Sequence, residues 1–288
     1  MPPEPIDLRH QATERVIGVY LLETDDGPAL FDCGPTTCVN ELKRGLAERG
    51  LSLSDIRNLL LSHIHLDHAG AAGVLVREHP SLQVHASAIG APHLIDPGRL
   101  EQSARRLYGD TFDPLWGELA PVPAENVHEI GERVLGLDAF PTPGHASHHV
   151  SYLGGDGTLY AGDAAGVRVQ PSRHVLPVSP PPDIDLEAWE RTLDEIERRG
   201  PERLALIHFG VAEDPAEHLT TMREELARWA EWVRSGMGEE EFVAACRRDL
   251  VQTEGEEEAD VWEKAAPFWQ SYLGLKRYWD KRAQAVPA

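Results

Sequence analysis

"LSHIHLDHAG", residues 61–70, sets His63, His65, Asp67 and His68 into six consecutive positions behind an apolar run. Three imidazoles and a carboxylate are expensive to bury together unless they share a partner. Residues two apart on an extended loop can point the same way, so His63 and His65 can face one cation. Asp67 and His68, past the bend, can face a second. Zinc and similar borderline metals take imidazole nitrogen and carboxylate oxygen at about 2.0–2.2 Å. A single His on an apolar strand is an ordinary core residue, but four ligand-type side chains at this spacing are not. The preceding strand "IRNLLLS" anchors one end of the loop, and "AGAAG" permits a tight strand-to-helix turn.

Two ions need more ligands than one loop supplies, and later strand ends provide them. "PTPGHASHH" presents His145 after a Pro-Gly turn, "LYAGDAAG" presents Asp163, and "LALIHFG" presents His208. Each lies where an apolar run breaks into a Gly-containing loop, the usual place for a site held on a rigid scaffold. The seven residues make two clusters with Asp163 between them.

The rest of the chain bounds the class. With 288 residues and 41% hydrophobic content it can build one large domain or a domain with an appendage. "RVIGVYLLET" and "PALFDCG" flank Asp25-Asp26-Gly27, a hairpin signal. Residues 40–50 and 186–199 carry helical spacing. Residues 69–79 read as a further helix, and Leu219, Met222, Leu226, Trp229 and Val233 form an amphipathic stripe. Strands alternate with helices in both halves, so the fold class is α/β. Beyond residue 235 the texture turns acidic and Trp-rich, which predicts a catalytic domain at 1–235 and a helical extension at 236–288. Trp262, Trp269, Tyr272 and Trp279 read as one helical face that packs on the core or forms a homodimer. Removing the extension is expected to spare the metal motifs.

No run of about 18 apolar residues exists, so no membrane association is expected. The start "MPPEPIDLRH" does not read as a secretory signal, and Cys33, Cys38 and Cys246 form no disulfide framework; a cytoplasmic protein is expected. The net charge of −21 disfavours nucleic acid as a partner. The expected partner is a small molecule, neutral or singly charged, with an uncharged acyl compound fitting best. Residues 88–125 and the Pro-rich stretch 171–182 are expected to roof its pocket with Leu94, Leu107, Trp116, Val175 and Leu176, and with His93 as a candidate substrate contact. His148 and His149 read as strand-packing or surface residues, with a cavity role as the alternative. His10, His79, His128, His174 and His218 read as surface or structural.

"SHIHLDHAG", "PTPGHASHH", "YAGD" and "LIHFG", in this order and spacing, resemble the metal motifs of the metallo-β-lactamase superfamily, in particular its glyoxalase II-like hydrolases. The likeness covers residues 16–233. It implies an αβ/βα sandwich, two mixed sheets packed face to face with helices outside and metals at one edge. It implies two divalent ions, zinc in the first instance and iron or manganese as alternatives. Carried over by motif, His63, His65 and His145 would bind the first ion, Asp67, His68 and His208 the second, and Asp163 would bridge. "FDCG" resembles the family's early strand-end Asp, so Asp32 would orient a ligand imidazole through its other N–H.

A hydroxide between the two cations would then attack an ester, lactone or thioester, with Asp67 as the catalytic proton acceptor. Departures from the pattern narrow the choice. The second-metal set has no Cys of the kind that antibiotic-hydrolysing zinc enzymes carry. No Tyr stands three residues after Asp163, as it does in acyl-homoserine lactonases, and no basic glutathione-binding cluster is evident. His65 stands where flavodiiron proteins place Glu. A phosphodiester or other phosphoryl hydrolase on the same site is the alternative, followed by a mononuclear iron dioxygenase of the persulfide type.

Overall fold

The computed structural model describes residues 3–285. Strands β1 (Ile6–Asp7), β2 (Gly18–Thr24), β3 (Gly27–Phe31), β4 (Asn58–Leu60), β5 (Gln83–Ala86) and β6 (Val127–Glu129) form one six-stranded sheet in chain order. Its first three strands pair antiparallel and the rest parallel. The expected hairpin forms, with Thr24 opposite Gly27. The second sheet also has six strands in chain order: β7 (Arg133–Val134), β8 (Leu137–Pro141), β9 (Val150–Leu153), β10 (Thr158–Tyr160), β11 (Arg203–Leu206) and β12 (Gly210–Ala212). Only β10 and β11 pair parallel there. β4 is buried at all three positions, as a strand covered on both faces must be.

The sheets meet through aromatic side chains. Phe31 of the first lies edge-on to Tyr152 of the second at 5.7 Å, and Tyr20 lies edge-on to Tyr160 at 5.7 Å. The Tyr152 hydroxyl is not stranded in this core. It donates to the carbonyl of Leu61, at the root of the His-rich loop, at 2.6 Å.

Helices cover the outer faces: α1 (Val39–Glu48), α2 (Leu66–Ala69), α3 (Ala72–Glu78), α4 (Ala91–Ile95), α5 (Gly98–Tyr108), α6 (Phe112–Trp116), α7 (Leu186–Arg199), α8 (Pro215–Arg234), α9 (Glu239–Glu254), α10 (Glu256–Ala265) and α11 (Phe268–Ala285). The chemistry of α7 is local: the Asp185 side chain caps the amide of Ala188, and Gly200 closes the other end in the left-handed region. Trp189, Leu193 and Ile196 form its buried face. Among the described residues no helix is long and apolar enough to cross a membrane.

Two expectations are corrected. The helix read over 69–79 starts later, as α3 at Ala72, and a separate turn, α2, precedes it. A side chain at Gly70 would meet the Leu66 carbonyl at 2.3 Å, and the chain turns there. Helicity itself begins earlier, in α2, so Asp67 and His68 ride on a helical turn rather than on extended chain. The tail aromatics do not share one helix face, because Pro267 separates α10, carrying Trp262, from α11, carrying Trp269, Tyr272 and Trp279. Trp262 is fully buried. Trp229 of α8 stacks edge-on with Phe242 at 5.2 Å and Phe268 at 6.0 Å, which ties the tail helices into the same apolar core as the sheets.

Candidate metal centre

All seven predicted ligands arrive at one end of the sandwich, from the loops that follow β4, β8, β10 and β11. His63 Nε2, His65 Nδ1 and His145 Nε2 form a triangle with edges of 2.9, 3.2 and 2.9 Å. A tetrahedral ion with arms of 2.0–2.1 Å needs donor–donor edges of about 3.3 Å, so three such nitrogens are slightly drawn together but fit. His68 Nε2 and His208 Nε2 lie 3.8 and 3.4 Å from Asp67 Oδ2 and form the second group. Asp163 stands between them: Oδ2 is 3.4 Å from His145 Nε2, and Oδ1 is 3.3 Å from His68 Nε2.

Three of the inward nitrogens are aimed by what the rest of their rings touch. His145 Nδ1 donates to the Val178 carbonyl and His208 Nδ1 to the Val16 carbonyl, both at 2.6 Å. His68 Nδ1 donates to Asp32 Oδ2 at 2.8 Å. Asp32 is fully buried and also accepts from the amide and hydroxyl of Ser62, both at 2.7 Å. The outer nitrogens spent this way leave lone pairs converging on the centre. His68 Nε2, His208 Nε2 and Asp163 Oδ1 are buried there without any hydrogen-bond partner. Orphaned polar atoms of this kind are rare in a folded core, and divalent cations would satisfy all three.

The electrostatics agree with a cation site. Burial, then the neighbouring imidazoles, press His63 and His65 well below the usual histidine range. Burial lowers His145 too, with Asp163 opposing. At His68 burial works against the charged form, but Asp163, Asp67 and Asp32 together outweigh it and hold the ring well above its ordinary value. His208 is raised against burial by Asp163 and Asp67. Against their own burial, Asp163 and Asp67 are held well below the carboxylate range, chiefly by His68. Carboxylates that favour positive charge at His68 and His208 would favour a bound cation in the same place.

A cavity of about 1080 Å³ opens onto His65, Asp67, His145, Asp163 and His208. Its roof comes from α5 and α6 and from the Pro180–Pro182 stretch, and Leu107, Trp116 and His93 line it as expected. Leu94, Val175 and Leu176 do not; they are buried in the apolar core, and Val178 takes the place read for the last two. The tail contributes as well, through Trp269, Gln270 and Arg277.

Three histidines do more than their sequence context indicated. His10 is buried, stacks on Trp116 at 5.4 Å and forms part of the wall. His148 lines the cavity. His149 is buried and accepts from the Asp163 amide at 3.1 Å, which holds Asp163 in place from behind. Proximity of His148 and His149 to His145 was the one signal available; for His10 there was none.

A two-sheet α/β sandwich with a His/Asp cluster at the loop end of its strands defines a class of metal-site proteins. The metallo-beta-lactamase superfamily profile matches residues 12–208, and the chain belongs to that superfamily. The metallo-beta-lactamase fold-containing protein ST1585 of Sulfurisphaera tokodaii is 25% identical over 232 residues, 77% of this chain and 82% of the relative. The crystal structure of ST1585 aligns with a TM-score of 0.65 at 20% identity over 96% of either chain. The metallo-beta-lactamase family protein TTHA1429 from Thermus thermophilus aligns at 0.66 and 22% identity, over 98% of this chain and 92% of its own. TTHA1623, solved in a di-iron-bound form, aligns at 0.54 and 25% identity over 71% of this chain and 91% of its own.

Proposed function

We propose that the chain is a dinuclear metal-dependent hydrolase of ester, lactone or thioester bonds in small molecules. His63, His65 and His145 would hold one divalent ion, Asp67, His68 and His208 the other, with Asp163 shared between them. The observation that carries the reading is a large cavity, walled by Leu66, Leu100, Leu107, Leu115, Trp116 and Trp269, that ends on the half-buried Asp67 and His65. An apolar enclosure of this size accepts the hydrocarbon part of an acyl compound.

Bound divalent ions would supply Lewis acidity and a water ionised near neutral pH. The chain's own groups supply the rest. Asp67, ionised and facing the cavity, can take up the proton that water loses as its oxygen joins the acyl carbon. It can return that proton as the bond to the leaving oxygen or sulfur breaks. Tyr108 also faces the cavity. Burial first, and Asp67 second, push its phenol far above the usual value, and its hydroxyl donates to Gln270 Oε1 at 3.3 Å, which a substrate oxygen would have to replace. His149 and Asp32 fix the ligands from behind.

The test is a panel of aryl esters, lactones, acyl thioesters and bis-aryl phosphates run on protein of defined metal content. Acyl substrates should turn over, and Asp67→Asn should lower kcat by roughly 10². Turnover of the phosphates alone would move the reaction to phosphoryl transfer, and an iron-dependent oxygen requirement would replace hydrolysis altogether.

A further inference from the structure

The chain carries a net charge of −21, and most of its arginines are held by carboxylates. On α5, Arg105 pairs with Glu101 at 2.9 Å and Asp113 at 2.7 Å. On α11, Arg282 pairs with Glu187 at 2.6 Å. The arginines of these two helices that face the cavity behave differently. Arg99, Arg106 and Arg277 are exposed, line the cavity and have no carboxylate partner among the described residues. Arg99 and Arg106 are seven residues apart, two turns or about 10 Å along one face of α5.

Asp67, Asp163, Asp183 and Glu263 share the lining, and Lys264 adds a fourth cation. Glu263 is paired with Arg247 at 2.7 Å, and Asp67 and Asp163 belong to the ligand cluster. The protein charges of the lining balance in number, so divalent ions at the cluster would leave the cavity cationic inside a strongly anionic surround, with the three guanidinium groups free of carboxylates. Unpaired guanidinium groups with this planar donor geometry match carboxylate and phosphate oxygens. The sequence reading allows a neutral or singly charged small molecule and favours an uncharged acyl compound for the apolar lining; the three unpaired arginines favour the charged one.

We propose that Arg99, Arg106 and Arg277 recognise an anionic group, carboxylate or phosphate, on the substrate away from the scissile bond, which makes the substrate an anionic ester or thioester. The proposal rests on the hydrolase reading above and narrows it. The rim draws the anion out of bulk solvent and orients it, while the apolar walls hold the chain between anion and acyl carbon. A rim charge of this kind acts mainly on capture and therefore on KM.

Two matched pairs of substrates test it on the metal-loaded full chain. The 4-nitrophenyl monoester of adipic acid is compared with 4-nitrophenyl hexanoate, and butyryl-phosphopantetheine with butyryl-pantetheine. The first pair places the anion on the acyl side, the second on the leaving thiol. The anionic member of at least one pair should have kcat/KM about tenfold higher, mostly through KM, and that preference should fade as NaCl is raised from about 0.05 to 0.5 M. The triple variant R99Q/R106Q/R277Q should bring the ratio within the pair close to one, and the salt titration of the unmodified chain tests the same electrostatics without any substitution. A ratio near one in both pairs, or a preference that survives both salt and the triple variant, overturns the rim's role while turnover of the neutral members leaves the hydrolase reading standing. No turnover of any of the four overturns both.

Discussion

Replacing Asp32 by Asn changes a charge without changing a shape. The backbone there has φ of 59°, in the left-handed region that Asn tolerates, so strain is not the variable. Three donors converge on the buried carboxylate: the Ser62 amide on Oδ1, and the Ser62 hydroxyl and His68 Nδ1 on Oδ2. A carboxamide has one oxygen. With that oxygen toward His68, its NH2 meets the Ser62 amide, donor against donor; flipped, the NH2 meets His68. At least one buried donor is stranded either way, costing about 1–3 kcal/mol of folding stability. His68 also loses the negative partner that fixes its ring and raises its basicity, which lowers metal affinity by about 10–100-fold. Competition against a chromogenic chelator measures the affinity, and urea unfolding of the metal-free chain measures the stability. Affinity within about threefold of the unmodified chain, together with an unchanged unfolding midpoint, would refute the positioning role.

Further outcomes follow from other contacts. At Gly162, φ is 53° and a Cβ would sit 2.6 Å from His149 Nε2 and 2.7 Å from Ser62 Cβ; Gly162→Ala should add about 1–2 kcal/mol of backbone strain and displace Asp163, read as lower metal content in protein that still folds. Burial holds His218 at about 4, below its ordinary 6.5, with the bond to the Ala165 carbonyl opposing. Its folded-state value is depressed, so the unfolded chain takes up the proton first. Stability should be complete above about pH 6.5 and decline by up to about 3 kcal/mol per such site toward pH 4, and urea midpoints in His218→Gln should show a shallower decline. A Cβ on Gly274 would lie 1.9 Å from the Ser179 carbonyl. Gly274→Val should push α11 off the loop whose Val178 carbonyl holds His145, lowering metal affinity with little change in circular dichroism; native affinity would show that the tail does not support that ligand.

The last contact bears on what truncation would do. The tail was expected to be separable from the metal motifs, yet the Ser179 amide donates to the Ser271 hydroxyl at 3.2 Å, one residue from the carbonyl that orients His145. No feature of residues 236–288 announces this. The contact depends on Gly274 allowing close approach, and a glycine inside a helical pattern does not say what it lies against.

Local chemistry alone was enough to single out the candidate ligands. His63, His65, Asp67 and His68 are dense enough to be read as a metal loop, and His145, Asp163 and His208 each follow an apolar strand and precede a Gly-containing turn. Such signals involve a few adjacent residues just beyond a strand end, so the strand that ends there brings them to the edge of the sheet together. The hairpin at Asp25-Asp26-Gly27 and the caps of α7 were legible for the same reason. The supporting groups and the cavity belong to tertiary structure. His10 lies far along the chain from the Trp116 on which it stacks, and Arg277 meets Arg99 and Arg106 across a cavity that no segment contains. Whether an arginine is paired, or a histidine is a wall, depends on what the packed chain brings within a few ångströms of it, and residues that far apart in sequence share no local pattern from which that proximity can be read.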